Sequence, residues 1–183
     1  MNQQRIAVIV GSLRRESLNR RLADAVAALA PPSFVFMQVG IANLPLYNQD
    51  DDEHQSAPVL RLKADIASSQ GVLFVTAEYN RSIPGVLKNA IDHTSRPFGH
   101  SAWSGKPAGI IGVSTGVIGT ALAQQHLRNV LASLDMPTLC QPEVFLQEKD
   151  DLFDAEGGLG VASRPLLQAW MVHYASSVMR FCG

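Results

Sequence analysis

The chain has 183 residues, of which 46% are hydrophobic and 17% charged, with a formal net charge of -1. That is enough chain for one sizeable core and little for two, and the near-neutral balance supplies no electrostatic footprint for nucleic acid. The two cysteines, Cys140 and Cys182, belong to no C-x-x-C pair, so neither a disulfide framework nor a zinc site is indicated, and idle or buried thiols are expected.

Five short apolar or β-branched runs alternate with helical periods. "RIAVIV" (Arg5 to Val10) reads as the first strand, and Leu18, Leu22, Val26 and Leu29 form a helical stripe after it. "FVFMQV" (Phe34 to Val39) reads as the second strand, followed by an acidic stretch, "QDDDE" (Gln49 to Glu53), expected to be a solvated loop. A weaker stripe of Val59, Leu62 and Ile66 precedes the third strand, "GVLFV" (Gly71 to Val75). Pro84 suits a first helical turn with Ser82 as its cap, ahead of Val86, Leu87, Ala90 and Ile91. "AGIIGV" (Ala108 to Val113) is the fourth strand, with Leu127, Val130, Leu131 and Leu134 behind it. "PTLCQPEVFL" (Pro137 to Leu146) is the expected fifth, and Leu167, Trp170, Met171, Tyr174, Val178 and Phe181 mark the last helix.

The first, third and fourth runs are apolar on both faces, as buried parallel strands are. Strands alternating with helices make a parallel sheet with right-handed crossovers, here one domain spanning 1–183. The expected arrangement is an α/β flavodoxin-like three-layer sandwich with a five-stranded parallel sheet in the order 2-1-3-4-5. In that order the loops leaving strands 1, 3 and 4 converge at the switch point where such sheets bind ligands.

All three loops are chemically dense. "GSLRRESLNRRL" (Gly11 to Leu22) offers Ser12, Ser17, Asn19, Arg14 and Arg15 at the start of a helix whose first N–H groups point outward, an anion site in the making. It has neither Walker nor G-x-G-x-x-G spacing, and the same residues would equally begin a solvated helix. Glu78, Tyr79, Asn80, Arg81 and Ser82 follow strand 3, where the alternative is a rich cap-and-turn. "GVSTGVIGTAL" (Gly112 to Leu122) follows strand 4, and its three glycines are expected to bring backbone close to a flat ligand, unless it is an ordinary strand-to-helix turn.

"GSLRRESLNRRLA", "EYNRSIPGVLKNAIDHTSRP" and "GVSTGVIGTALAQQHLR" closely resemble the signatures of the NAD(P)H-dependent FMN reductases, a flavodoxin-like family that includes bacterial quinone and chromate reductases. The string E-Y-N-x-S-x-P-G-x-L-K-N-A-I-D is the most specific of these, and the resemblance runs to about Leu134. Two positions depart from the family pattern: Ala77 stands where proline is usual, and His93 where an aromatic is usual.

The resemblance implies FMN, with its phosphate cradled by Ser12, Arg14, Ser17, Leu18 and Asn19. Glu78, Tyr79, Asn80 and Ser82 would then lie along the ribityl chain and isoalloxazine, and Ser114, Thr115 and Gly116 would close the other side. It implies hydride transfer from NADPH or NADH to flavin N5, and onward to a small-molecule electron acceptor such as a quinone, free flavin, chromate or azo compound. No side-chain nucleophile is needed. It also implies a homodimer or homotetramer, in which the loop after strand 2 and the helix containing Ile91 meet a second subunit. Arg15, Arg20 and Arg81 are candidates for a cosubstrate 2′-phosphate.

Two rivals stand beside this reading. One is a flavodoxin-type electron carrier, disfavoured by the near-neutral charge. The other is a serine hydrolase, because Gly112 to Gly116 matches G-x-S-x-G, with Ser114, Asp150 or Asp154, and His173 in hydrolase order. The histidines show no i, i+4 ligand pairing, so no metal centre is expected. The opening "MNQQRIAVIVGS" has too short an apolar run for a secretory signal, and no stretch approaches the roughly 18 apolar residues of a membrane span. A cytoplasmic protein without a membrane or nucleic-acid partner is the expectation.

Overall fold

The structure is a computed structural model that describes residues 3–181. Its strands are β1 (Gln4–Val10), β2 (Phe34–Gln38), β3 (Gly71–Val75), β4 (Ala108–Ser114) and β5 (Phe145–Gln147). All neighbours pair in parallel, in the order β2-β1-β3-β4-β5. The helices are α1 (Leu18–Ala27), α2 (Ala57–Ala67), α3 (Gly85–Thr94), α4 (Ala121–Ser133) and α5 (Arg164–Phe181).

Side chains on successive strand positions point to opposite faces, so each central strand feeds two cores. Ile6, Val8 and Val10 of β1 join Leu73, Val75, Ile111 and Val113 on one face, under Leu22 and Val26 of α1 and Leu167, Trp170 and Tyr174 of α5. Ala7 and Ile9 join Val72, Phe74 and Ile110 on the other, under Leu62 and Ile66 of α2, Leu87 and Ile91 of α3, and Leu127 and Leu131 of α4. Each fully buried Leu, Ile or Phe contributes about 1.5–3 kcal/mol of transfer free energy. Together they fix the three layers. No helix among the described residues is long and apolar enough to cross a membrane.

The fifth strand is shorter than the expected Pro137 to Leu146. Only Phe145–Gln147 pairs with β4, while Thr138 makes an isolated bridge to Ala108. Pro142 interrupts the run and has no N–H to give a ladder. The acidic stretch is not a loop but a short 3₁₀ helix, Gln49–His54, whose first turn is closed by Asn48 accepting the N–H of Asp50. Leu29 lies past the end of α1, and Phe181 is exposed on α5.

The loop after β2 is bound to α3. Asn89 donates to the Pro45 carbonyl at 2.8 Å and accepts the Tyr47 N–H at 2.8 Å. His93 is buried, its Nε2 lies 2.9 Å from the same Pro45 carbonyl, and its ring meets Tyr47 edge-on at 5.3 Å. The histidine therefore does an aromatic's packing work and adds a polar tether. Leu46, between the two tethered residues, is left 86% exposed. Cys140 is exposed rather than buried, and Cys182 lies outside the described residues.

Candidate functional site

The carboxyl ends of β1, β3 and β4 are adjacent, and the three loops are stitched together where they leave the sheet. Gly11 N–H donates to Val75, Thr76 N–H to Ile111, and Glu148 N–H to Ser114. Gly112 is obligatory at this point: a Cβ there would lie 2.2 Å from the Thr76 carbonyl oxygen and 2.5 Å from Thr120 Oγ1. Gly119 likewise has φ of +60° and packs on the β5 backbone. Two of the three glycines in this loop therefore serve the protein's own packing, and only Gly116 of the three has room for a Cβ, which would meet the Ser114 hydroxyl at 3.7 Å.

In the first loop, Ser12 and Ser17 are buried and Leu13, Arg14, Arg15 and Glu16 are exposed. Ser17 caps α1, its hydroxyl accepting the Arg20 N–H at 3.3 Å. Leu18 and Asn19 are the first two residues of that helix, so their N–H groups lie beyond the reach of any helical carbonyl. The Asn19 side chain is spent inside the protein. It donates to the Val113 carbonyl and accepts the Val113 N–H, both at 3.0 Å, which pins α1 to β4.

The second loop is a two-residue hairpin turn. Tyr79 and Ser82 exchange N–H···O bonds of 2.9 and 3.0 Å, and Asn80 and Arg81 between them have φ of 52° and 66°. Both central residues left-handed is the geometry of a type I′ turn, where asparagine is well tolerated and arginine is strained. The turn projects Tyr79 and Asn80 into solvent. Ser82 does not cap α3, as expected from sequence; Pro84 occupies the cap position, and the Ser82 hydroxyl lies 3.0 Å from His126 Nδ1 on α4. Beside this pair, Lys88 and Val130 help line a hollow of about 510 Å³ between α3 and α4. It flanks the turn and does not reach the α1 terminus, so the loop chemistry, not this hollow, locates the site.

Glu78 begins the turn and its side chain turns inward, 7% exposed. Its Oε2 accepts the N–H groups of Leu122 at 3.0 Å and Ala123 at 3.1 Å, and its Oε1 lies 3.4 Å from the Arg81 guanidinium. A carboxylate thus closes the start of α4, a role no local pattern announces because its partners are 44 and 45 residues away. The turn that lacks the family's proline at Ala77 is held by these bonds instead.

In the third loop, Ser114 is half-buried, its hydroxyl accepting the Gly116 N–H at 3.2 Å, while Thr115 and Gly116 are exposed. Val117 is 82% exposed, and Leu13 and Ile118 are exposed too, apolar side chains of the third and first loops that the sequence reading does not single out and that join Tyr79, which it does. Hydropathy alone assigns such residues to a core; only the loop geometry shows them outside. The hydrolase constellation is not assembled. His173 sits exposed within α5 with Nδ1 2.8 Å from the Ala169 carbonyl, and Asp154 accepts the Gly158 N–H at 2.6 Å. Arg20 is drawn to Gln38 and Arg81 to Glu78, whereas Arg15 is exposed in the loop ahead of α1. Among the described residues no group of three His, Cys, Asp or Glu is placed to hold a metal.

The site fits an anion joined to a flat ring. The first N–H groups of α1 are open to an anion, whereas the start of α4 already holds a carboxylate, and the exposed apolar side chains of the loops suit one face of a ring system. Sheet order and loop placement define a flavodoxin-like α/β protein with its ligand crest at the switch point. Within that class the chain belongs to the NADPH-dependent FMN reductase family, whose profile matches residues 4–151.

Relatives of known name span nearly the whole chain. It is 51% identical over 175 residues to a 2-hydroxy-1,4-benzoquinone reductase of a Burkholderia species, covering 95% of this chain and 96% of that one. It is 49% identical over 174 residues to a quinone reductase of Pseudomonas putida, covering 94% of each. Among solved structures it matches FerB, a flavoenzyme NAD(P)H:(acceptor) oxidoreductase from Paracoccus denitrificans, with a TM-score of 0.93 at 40% identity over 97% of this chain and 98% of that one.

Proposed function

We propose that this chain is an FMN-dependent NAD(P)H oxidoreductase whose acceptors are quinones and free flavin, with small quinones of the benzoquinone class as its best substrates. The observation that carries the reading is the open α1 terminus, preceded by the exposed Arg14 and Arg15, together with exposed apolar side chains on the loops leaving β1, β3 and β4. When bound, FMN would supply the two-electron hydride chemistry that links NAD(P)H to the acceptor, so no side-chain nucleophile is required.

The protein's own part is to bind, orient and exclude water. Arg14 and the N–H groups of Leu18 and Asn19 hold the phosphate, while Ser12 and Ser17 shape the floor. Tyr79, Asn80 and Ser82 border one side of the ring system, with Glu78 contributing through its backbone. Ser114, Thr115 and Gly116 border the other. The Ser114 hydroxyl already accepts a bond from Gly116, which leaves its proton free to be donated to an acceptor edge of the ring. Leu13, Val117 and Ile118 keep water from the reacting face.

The protein works as a homodimer or homotetramer in the cytoplasm. Supporting this is the tethering of the β2 loop to α3, which presents the exposed Leu46 on the surface where a second copy would sit. The test of function is steady-state oxidation of NADPH by apo-protein given FMN, with a benzoquinone, chromate or an azo dye as acceptor. The proposal expects an absolute need for FMN, parallel double-reciprocal lines and the highest kcat/KM with the quinone. Turnover without FMN, or none with any quinone, would overturn it.

A further inference from the structure

We propose that Glu78 is a positioning residue whose carboxylate sets the gap between the second and third loops. The inference rests on the reading of those loops as the two sides of the FMN site. The first turn of α4 lacks its own side-chain cap, and the Thr120 hydroxyl accepts from Gln124 Nε2 at 3.0 Å. Glu78 Oε2 takes the N–H groups of the second and third helical residues, Leu122 and Ala123, which are the bonds a cap residue normally accepts.

Two segments are thereby held by one side chain. Tyr79 and Asn80 follow Glu78 directly, and the loop of Thr115 to Gly119 runs directly into the helix that Glu78 closes. Displacing the carboxylate would move the crest of one loop relative to the other. The strained residue of the turn is tied to the same point, since Arg81, at φ of 66°, reaches back to Glu78 Oε1. The left-handed arginine thus sits within reach of the carboxylate that closes α4. The buried carboxylate also satisfies the positive end of α4, so an anionic ligand meets an open helix end at α1 and a closed one at α4.

A helix cap that served stability alone would leave ligand binding untouched. The experiment compares wild type with Glu78→Gln and Glu78→Ala by three readouts: amide hydrogen exchange at Leu122 and Ala123 in the apo-protein, FMN dissociation constant by fluorescence, and the split between kcat and quinone KM. Glu78→Gln keeps the shape and one neutral acceptor, so it folds even if Glu78→Ala does not. The expected result is faster exchange at both amides, an FMN dissociation constant raised about tenfold in Glu78→Gln, and a larger rise in Glu78→Ala where it folds. Unchanged exchange would remove the clamp, and faster exchange with unchanged FMN affinity and quinone KM would reduce it to a stabilising cap; either overturns the proposal. Failure of wild type to bind FMN would instead strike the functional reading, and the exchange readout would still test the clamp.

Discussion

Arg14 is exposed in the loop that leads into α1, and the proposed function assigns its guanidinium to the FMN phosphate. Arg14→Ala should weaken FMN retention by about 1.5–3 kcal/mol, the scale of a charged hydrogen bond, in a titration of the apo-protein. An unchanged dissociation constant would end that assignment. Asn19 makes the opposite kind of prediction. Asn19→Ala strands the buried N–H and C=O of Val113, so it should lower the free energy of unfolding by about 1–3 kcal/mol in a urea titration, with the slope unchanged. A loss of FMN affinity without a loss of stability would show the amide to be a ligand instead. Both residues stand out in the sequence as polar groups in a loop after a buried strand. Their division of labour does not, because the bonds of Asn19 cross 94 residues and those of Glu78 cross 44 and 45. A sequence shows which residues can hydrogen-bond; which partner wins is decided by the fold.

The elements legible in the sequence are those whose burial leaves no alternative. "RIAVIV", "GVLFV" and "AGIIGV" are apolar on both faces, and all three lie within one residue of their observed bounds because parallel strands covered on both sides admit nothing else. The edge strand β5 is shorter than the apolar run suggests, because that run is shared between a bridge at Thr138 and the short pairing at Phe145–Gln147, with Pro142 between. The turn after β3 was rich enough to notice and still misassigned at Ser82, since a serine near a helix start also suits contact with a neighbouring helix. How tightly elements meet at the site gives a further test. Gly112→Ala places a methyl 2.2 Å from the Thr76 carbonyl oxygen, a backbone atom that cannot swing aside. It should cost about 1–3 kcal/mol of stability and reduce FMN binding, because β4 must shift away from the second loop. A variant with wild-type melting and wild-type FMN affinity would contradict the close approach.

At the scale of the molecule, the order β2-β1-β3-β4-β5 brings three loops from distant parts of the chain to one crest. Length and strand alternation carried that order, and the three loops together identified the family where each alone had an ordinary explanation. The exposure of Leu13, Val117 and Ile118 is not legible in the sequence, because a leucine or valine in a loop looks like core until the backbone shows it pointing outward, whereas the exposed Leu46 falls in the loop after β2 where the resemblance already implies a subunit contact. Leu46→Asp should shift the protein toward monomer in sedimentation velocity without unfolding it, whereas an unchanged sedimentation coefficient would place the subunit contact elsewhere. The central claim is that this crest holds FMN in reach of a nicotinamide. Its most direct test is the anaerobic visible spectrum of protein reconstituted with FMN and desalted, recorded before and after NADPH and then NADH. Retained yellow colour that bleaches with a nicotinamide is the expected result; absence of retained flavin, or colour that survives both donors, would contradict it.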